Sequence, residues 1–496
     1  MGAYLYYIPL KIASLSWLFS LLLLISPPVE SAEIRLPSLG GDSTVSVMTP
    51  QQEQLLGEAF MRALRKQIDI IEEAEIHHYI ETLGQQLVLQ SDDPTAPFEF
   101  FVVRDQSINA FAGPAGKIGI HTGLIEKAES EGELAAVVAH EIAHVTQRHL
   151  MRAFESQQQQ PLLTAATVLA TIIAASASPQ AGEAMIATSA GLSLQQQINF
   201  TRSNEQEADR VGMEILHGAD YRPMHMTTFF KRLQQASRHE SESLPEYLRT
   251  HPLNLSRIAD AESRLGRYPS KPPRDSEEFY RIRSLLQIEQ FTHPEAAIRH
   301  FQQQLAYTDP PQPSNQFGLA VAYLQADRPS EALPILQTLH HNSPDTPTIL
   351  LQLARAEIAL KQPQKALKRL GNARRLYPTH IPLLLLQSEL LHQQGQSAQA
   401  IQTIEEGIGN HPLSTMLYQQ LALIHTQANH PVQSHLAQGH YHYLRGETKA
   451  ALRQLDFADR AAKSAETDFI LFSTIDARRR LYEEKETIEK AEEKRS

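Results

Sequence analysis

The sequence predicts a mostly α chain in two parts, a helical N-terminal unit with a small β-sheet followed by a C-terminal α-solenoid. Three observations predict it. Apolar residues recur at helical spacing around two histidines four positions apart. Two short apolar runs, Phe98 to Val103 and Lys117 to His121, read as strands, the second bounded by glycines. Prolines recur with one fixed period through the second half. With 496 residues and 42% hydrophobic content, the chain can bury more than one core. Its formal net charge of -11 argues against nucleic acid as the main partner, and Arg478-Arg479-Arg480 reads as a solvated face.

In chain order, Lys11 precedes an apolar run from Ile12 to Ile25, then Pro27, Pro28 and the small residues Val29 and Ser31 at the spacing of a processing site. Residues 1–31 therefore read as a secretory signal whose removal leaves a periplasmic protein; the alternative is an uncleaved anchor. The absence of cysteine rules out disulfides, thiolate metal sites and a thiol nucleophile. After an extension over 32–50, residues 51–266 form the expected catalytic unit, with helices over 53–65 and 75–89 ahead of the two strands.

The next helix carries the chemistry. Ser130 and Glu133 have capping-box spacing, and Leu134, Val137, Val138, Ile142 and Val145 recur at helical intervals, with no Pro or Gly over 133–155. His140 and His144, four apart, lie on one face and can hold one zinc ion, while Glu141 is placed as general base toward a water that the metal activates. An HExxH string also arises by chance on amphipathic helices, so further ligands are required. Ser203 to Asp209 opens another helix, with Ser203 and Gln206 at capping spacing. Glu205 and Asp209 share a face, so Glu205 completes a His2Glu zinc site and Asp209 accepts a ring N–H from a ligand histidine, with Glu207 solvated. These residues point to a peptidase with one zinc ion per chain.

The motif His140-Glu141-Ile142-Ala143-His144 with Glu205 and Asp209 resembles the gluzincin metallopeptidases related to the CAAX prenyl protease and the membrane protease HtpX. Residues 108–112 (INAFA), 116–124 (GKIGIHTGL), 144–149 (HVTQRH), 204–212 (NEQEADRVG) and Thr250-His251-Pro252 extend the likeness, most closely to gluzincins that serve β-barrel assembly. The resemblance implies that Lys117, Ile118, Gly119, Ile120 and His121 form an edge strand that pairs with extended substrate. His251 follows a stretch, 241–249, without helical periodicity; at the metal it is either a fourth ligand that gates the site or an oxyanion donor. Arg257 is a weaker oxyanion candidate. His121 and His149 read as supports of the ligands or as surface residues, and His77-His78 and His340-His341 as solvated pairs. Residues 156–182 carry no charge, and the apolar part from Leu162 to Ala177 reads as a buried helical hairpin or as a peripheral membrane contact.

Over 267–485, Pro310, Pro344, Pro378 and Pro412 follow one another at 34 residues (344 − 310 and so on), with Ala332, Ala366 and Ala400 each 12 before the next proline. Ala320, Ala354, Ser388 and Ala422 supply the second small position. This period predicts tetratricopeptide repeats, irregular at both ends where Ile298, Ser434 and Lys449-Ala450-Ala451 depart from it. Residues 481–496 read as a charged, frayed helix, with 486–496 a tail. Repeats of this kind bind proteins, and the resemblance implies the β-barrel assembly machinery as partner and outer-membrane β-barrel proteins as clients. The reading is a periplasmic zinc endopeptidase for quality control of those proteins; the alternative is a chaperone-like repeat scaffold with a latent peptidase site.

Overall fold

A computed structural model describes residues 48–155, 166, 169–171, 173, 202–239, 246–464 apart from 273 and 275, and 469–495. The predicted signal, nearly all of the extension after it, and most of 156–201 lie outside the described residues. Helix α1 (Pro50–Leu64) starts ahead of the predicted 53, because Thr49 and Gln52 form a full capping box. There follow β1 (Ile70–Ile71), α2 (Ala74–Val88), β2 (Glu99–Val103), β3 (Ala110–Gly113), β4 (Lys117–His121) and α3 (Thr122–Lys127). Next come α4 (Glu131–Thr146), α5 (His149–Glu155), α6 (Arg202–Gly218), α7 (Met224–His239), α8 (Glu246–Thr250) and α9 (Leu255–Arg264).

The sheet order is β1-β2-β4-β3, which corrects one expectation. β4 is interior: it pairs in parallel with β2 and antiparallel with β3, so Lys117 to His121 have no free backbone edge to offer a substrate. Among the described residues the sheet ends at β3 on this side and at β1 on the other. Lys117 pairs with Glu99 at 2.6 Å, Ile118 and Ile120 are core residues, and Gly119 lies under Phe111, whose ring a Cβ would meet at 2.3 Å.

Helix α4 runs buried on every side, and Ser130 caps it by accepting from the Glu133 amide at 3.3 Å. Its first-turn Glu131 accepts from the hydroxyls of Tyr79 (2.9 Å) and Tyr221 (3.0 Å), a carboxylate placed favourably at the positive end of the helix dipole. The helix ends at Thr146, short of the uninterrupted 133–155: Arg148 adopts a left-handed conformation (φ 55°), and α5 leaves in a new direction. Helix α6 is already running at Arg202, so Ser203 lies inside it and is not its cap. Gly212 lets α6 approach α4 closely, since a Cβ there would sit 3.3 Å from the His140 backbone.

The second half consists of helical hairpins. Helices α10 (Glu277–Glu289) and α11 (Pro294–Tyr307) precede α12 (Pro313–Gln325) and α13 (Pro329–Asn342), α14 (Pro347–Ala359) and α15 (Pro363–Leu376), and α16 (Ile381–Gln393) and α17 (Ser397–Asn410). The array closes with α18 (Thr415–Gln427), α19 (Pro431–Leu444), α20 (Thr448–Ser464) and α21 (Phe469–Arg495). Helices α12, α14, α16 and α18 begin 34 residues apart (313, 347, 381, 415), as the proline period requires. Ala332, Ala366 and Ala400 are buried where paired helices touch, small enough for close approach.

Two features depart from the expectation of separate parts. One apolar cluster extends from Ile71 to Ala356, so α10 to α14 pack on the same core as α2 and α4. At the far end α21 is no frayed tail as far as Glu489: Tyr482 is buried, Lys485 lies 2.8 Å from Glu58 on α1, and Glu489 accepts from Thr448 at 3.0 Å. Ala166, Leu169 and Ala170, described members of the apolar segment, are buried with Phe60, Leu64, Phe101 and Met151. Among the described residues no helix is long and apolar enough to cross a membrane.

Candidate active site

The i, i+4 spacing on α4 brings the two imidazoles together, with His140 Nε2 and His144 Nε2 3.0 Å apart. Glu205, carried in by α6, places Oε2 3.5 Å from His140 Nε2 and Oε1 3.4 Å from His144 Nε2. His251 completes the group: its Nδ1 is 3.0 Å from Glu205 Oε1 and 3.4 Å from His140 Nε2. Donor atoms of all four residues lie within 4.8 Å of one another, and all four are buried. Three imidazole nitrogens and a carboxylate converging out of water cannot all be satisfied by protons shared among themselves. A divalent ion of borderline softness satisfies them at once, so the residues present fit a metal.

Glu141 is fully buried beside this group, with Oε1 3.4 Å from His251 Nε2. Burial pushes its carboxyl above the ordinary range, against the pull of His251 and His140. Burial would lower His140, but hydrogen bonds to Asp209 and Glu205 override it and hold it at about 9. Burial would raise Glu205, yet His251, His140 and His144 hold it well below the usual carboxylate range. The cluster therefore carries a carboxylate shared among imidazoles, and a cation entering it displaces protons.

Asp209 stands where its helical position predicts, with Oδ1 3.0 Å from His140 Nδ1, the nitrogen turned away from the cluster. Arg257 stands elsewhere than expected. Its guanidinium is buried, bonds Asp209 through Nε (2.8 Å) and Nη2 (2.7 Å), reaches Glu205 at 2.6 Å and donates to the Pro252 carbonyl at 3.0 Å. With four of its five N–H donors directed at Asp209, Glu205 and the Pro252 carbonyl, the guanidinium braces two carboxylates and is held in that place.

His251 follows α8, a one-turn helix where the sequence showed no helical periodicity. Five residues are too few to display a period, so the helix leaves no trace in the sequence pattern. Glu246 pins the start of α8, accepting from Ser107 Oγ (2.8 Å) and Asn109 Nδ2 (2.9 Å), while the Tyr247 amide donates to the Ile108 carbonyl at 3.2 Å. His121 belongs to this clasp, its Nδ1 2.8 Å from Ser107 Oγ, and supports the segment that carries His251 without joining the four-residue cluster. Tyr247 stacks on His251 with ring centroids 4.8 Å apart, and no sequence pattern marks Tyr247 or Glu246.

Two further expectations change. Glu207 is not merely solvated, because His149 Nε2 lies 3.0 Å and Arg152 Nη2 3.2 Å from its Oε2. His78 is packed edge-on against His380, centroids 4.3 Å apart, and burial lowers its pKa to about 3. The edge strand β3 lies against α4, and Ala112, Gly113 and Pro114 line a small pocket with His144, Val145 and Met151.

Comparison with known proteins agrees with this geometry. Residues 72–265 match the model of peptidase family M48, and residues 324–373 match a tetratricopeptide repeat model. The chain is 40% identical over 320 residues, 64% of its length and 65% of the relative's, to a putative beta-barrel assembly-enhancing protease of Vibrio cholerae. It is 32% identical over 448 residues, covering 88% of this chain and 90% of the relative, to the beta-barrel assembly-enhancing protease of Escherichia coli. A more distant relative is the mitochondrial metalloendopeptidase OMA1 of Arabidopsis thaliana, 26% identical over 45% of this chain and 40% of that one. The chain belongs to the beta-barrel assembly-enhancing protease family, metallopeptidases of family M48 that carry tetratricopeptide repeats.

Proposed function

We propose that this metallopeptidase is a periplasmic zinc endopeptidase that removes stalled or misassembled outer-membrane β-barrel proteins, assists their assembly, and docks on the β-barrel assembly machinery through its repeats. One observation carries the reading: His140, His144, Glu205 and His251 converge within 4.8 Å, with Glu141 beside them. His140, His144 and Glu205 hold the ion, and His251 is the gating fourth ligand. Zinc bound there supplies a Lewis acid that polarises a peptide carbonyl and lowers the pKa of water to about 7.

The chain's own residues do the rest. β3 pairs with β4 on one side only, and its other edge bears no strand among the described residues. An extended client segment added to that edge lies along α4, beside Glu141 and the ligand group. An unfinished β-barrel exposes unpaired strand edges, the chemistry such an edge recognises. Glu141, buried and with its pKa raised, takes the proton from the attacking water and passes it to the leaving amine. Asp209 fixes the His140 ring, and Arg257 fixes Asp209.

The alternative of a mainly chaperone-like repeat scaffold draws on the same structure, in which His251 stands between Glu141 and Glu205 and closes the site. Glu141→Gln separates the two. Zinc content measured on the full chain should be retained, and cleavage of an unfolded outer-membrane β-barrel protein should fall by about 10²-fold or more. Unaltered cleavage sinks the peptidase reading. Fractionation with N-terminal sequencing checks the compartment, with a mature N-terminus at Ala32 expected in the periplasmic fraction.

A further inference from the structure

We propose that His149 and Glu207 are positioning residues of the metal site, a two-member hydrogen-bond relay that brings a carboxylate's influence to His144 as Asp209 does directly for His140. The proposal rests on reading His144 as a ligand. His144 Nε2 faces the cluster, so Nδ1 points away from it and lies 2.9 Å from His149 Nδ1. His149 Nε2 in turn lies 3.0 Å from Glu207 Oε2, which Arg152 Nη2 holds at 3.2 Å. His149 is 0% exposed, so its ring nitrogens are kept from bulk water and their order is set by protein partners.

Only one order of protons serves this chain of atoms. A nitrogen that coordinates a metal carries no proton, so a neutral His144 ligating through Nε2 holds its proton on Nδ1 and donates it to His149 Nδ1. With Nδ1 accepting, the single proton of neutral His149 sits on Nε2 and is donated to the Glu207 carboxylate. The reverse order places a proton on His144 Nε2 and blocks coordination. Glu207 thus selects, through His149, the tautomer of His144 that can bind an ion, and strengthens it as a donor.

Local structure explains why an imidazole stands between carboxylate and ligand. Glu205 and Asp209 are four apart and share the face of α6 toward α4, whereas Glu207, two positions along, points about 200° away from Glu205. It cannot reach His144 itself. The left-handed turn at Arg148 folds His149 back on His144, with ring centroids 4.8 Å apart, and the imidazole spans the gap.

The test is zinc affinity of the full chain by chelator competition, with melting of the metal-free protein measured alongside. His149→Ala should weaken zinc binding by about 10- to 100-fold. Glu207→Gln should weaken it less, since the amide oxygen still accepts. Both should leave metal-free melting nearer to wild type than their loss of affinity suggests. In zinc-loaded, ¹⁵N-histidine-labelled protein, His144 should be protonated at Nδ1 and His149 at Nε2. Variants that melt lower but bind zinc as wild type does, or a His149 protonated at Nδ1, overturn the relay. Should His149→Ala fail to fold, Glu207→Gln, at a side chain 33% exposed, and the labelled spectrum decide the matter. Wild type that binds no zinc would instead refute the metal-site reading itself.

Discussion

His251 faces two ways, and its chemistry follows from that. Nδ1 lies on the side of the clustered imidazoles, 3.0 Å from Glu205, and Nε2 lies 3.4 Å from Glu141, the proposed general base. Of the two roles the sequence leaves open to it, we propose the closing ligand, because Nδ1 lies among the other candidate ligand atoms. His251→Ala should therefore raise cleavage of an unfolded β-barrel client while weakening zinc affinity, both measured on the purified chain. A fall in turnover at unchanged affinity would assign the ring to oxyanion stabilisation. Five candidate residues were legible: His140, His144, Glu205 and Asp209 declare themselves through i, i+4 spacing on helices whose apolar periodicity is strong, and Glu141 through its place in the first pair's motif. Which of the two readings open to His149, ligand support or surface residue, is the right one was not legible, because its place depends on a left-handed residue, Arg148, of a type that rarely adopts that conformation.

At the scale of elements, α8 and β3 matter most, and neither had a signal of its own. A five-residue helix is shorter than the window over which a helical period can be counted, and the strand Ala110–Gly113 (AFAG) shows no alternation of apolar and polar residues. What holds α8 is the clasp of Glu246 on Ser107 and Asn109, all within hydrogen-bond reach and largely buried. Glu246→Ala leaves these partners unsatisfied, a loss of about 1–3 kcal/mol for a buried group, and should loosen the helix that leads into His251. Limited trypsin digestion should then cut faster after Arg249, and client cleavage should rise as for His251→Ala. Unchanged cutting at Arg249 would show that the stacking of Tyr247 alone secures the element. The strand expected at the edge failed for another reason: a short apolar run bounded by glycines identifies Lys117 to His121 as a strand, but which strand lies outermost is decided by pairing partners distant in sequence.

At the scale of the molecule, catalytic unit and repeats behave as one body over much of their length. Glu75 on α2 sits at this seam, accepting from Gln352 of α14 at 2.9 Å and pairing with Arg355 at 2.7 Å. Burial pushes its carboxyl up to about 7, against the pull of Arg355. A carboxyl raised on folding binds its proton more tightly in the folded state, so its contribution to stability is full below its unfolded value of 4.5 and is lost as pH rises through about 7. From pH 5 to pH 8 the wild type should lose melting temperature relative to Glu75→Gln, which cannot titrate; parallel profiles would show that Glu75 does not titrate in this window. The cluster from Ile71 to Ala356 adds that α2, α4 and the first hairpins should melt together.

The sequence by itself determined the reaction class and the repeat architecture and singled out His140, Glu141, His144, Glu205 and Asp209 as site candidates, because each is written in local periods: four residues for the helices of the site, 34 for the hairpins. Only the tertiary structure decided that β3 is the edge, that Arg257 braces two carboxylates, that α21 returns to α1, and that His149 stands behind His144. The reason is physical. Backbone pairing order and the satisfaction of buried charge are settled between segments far apart in the chain, whose meeting is fixed by the shared core and not by any local pattern.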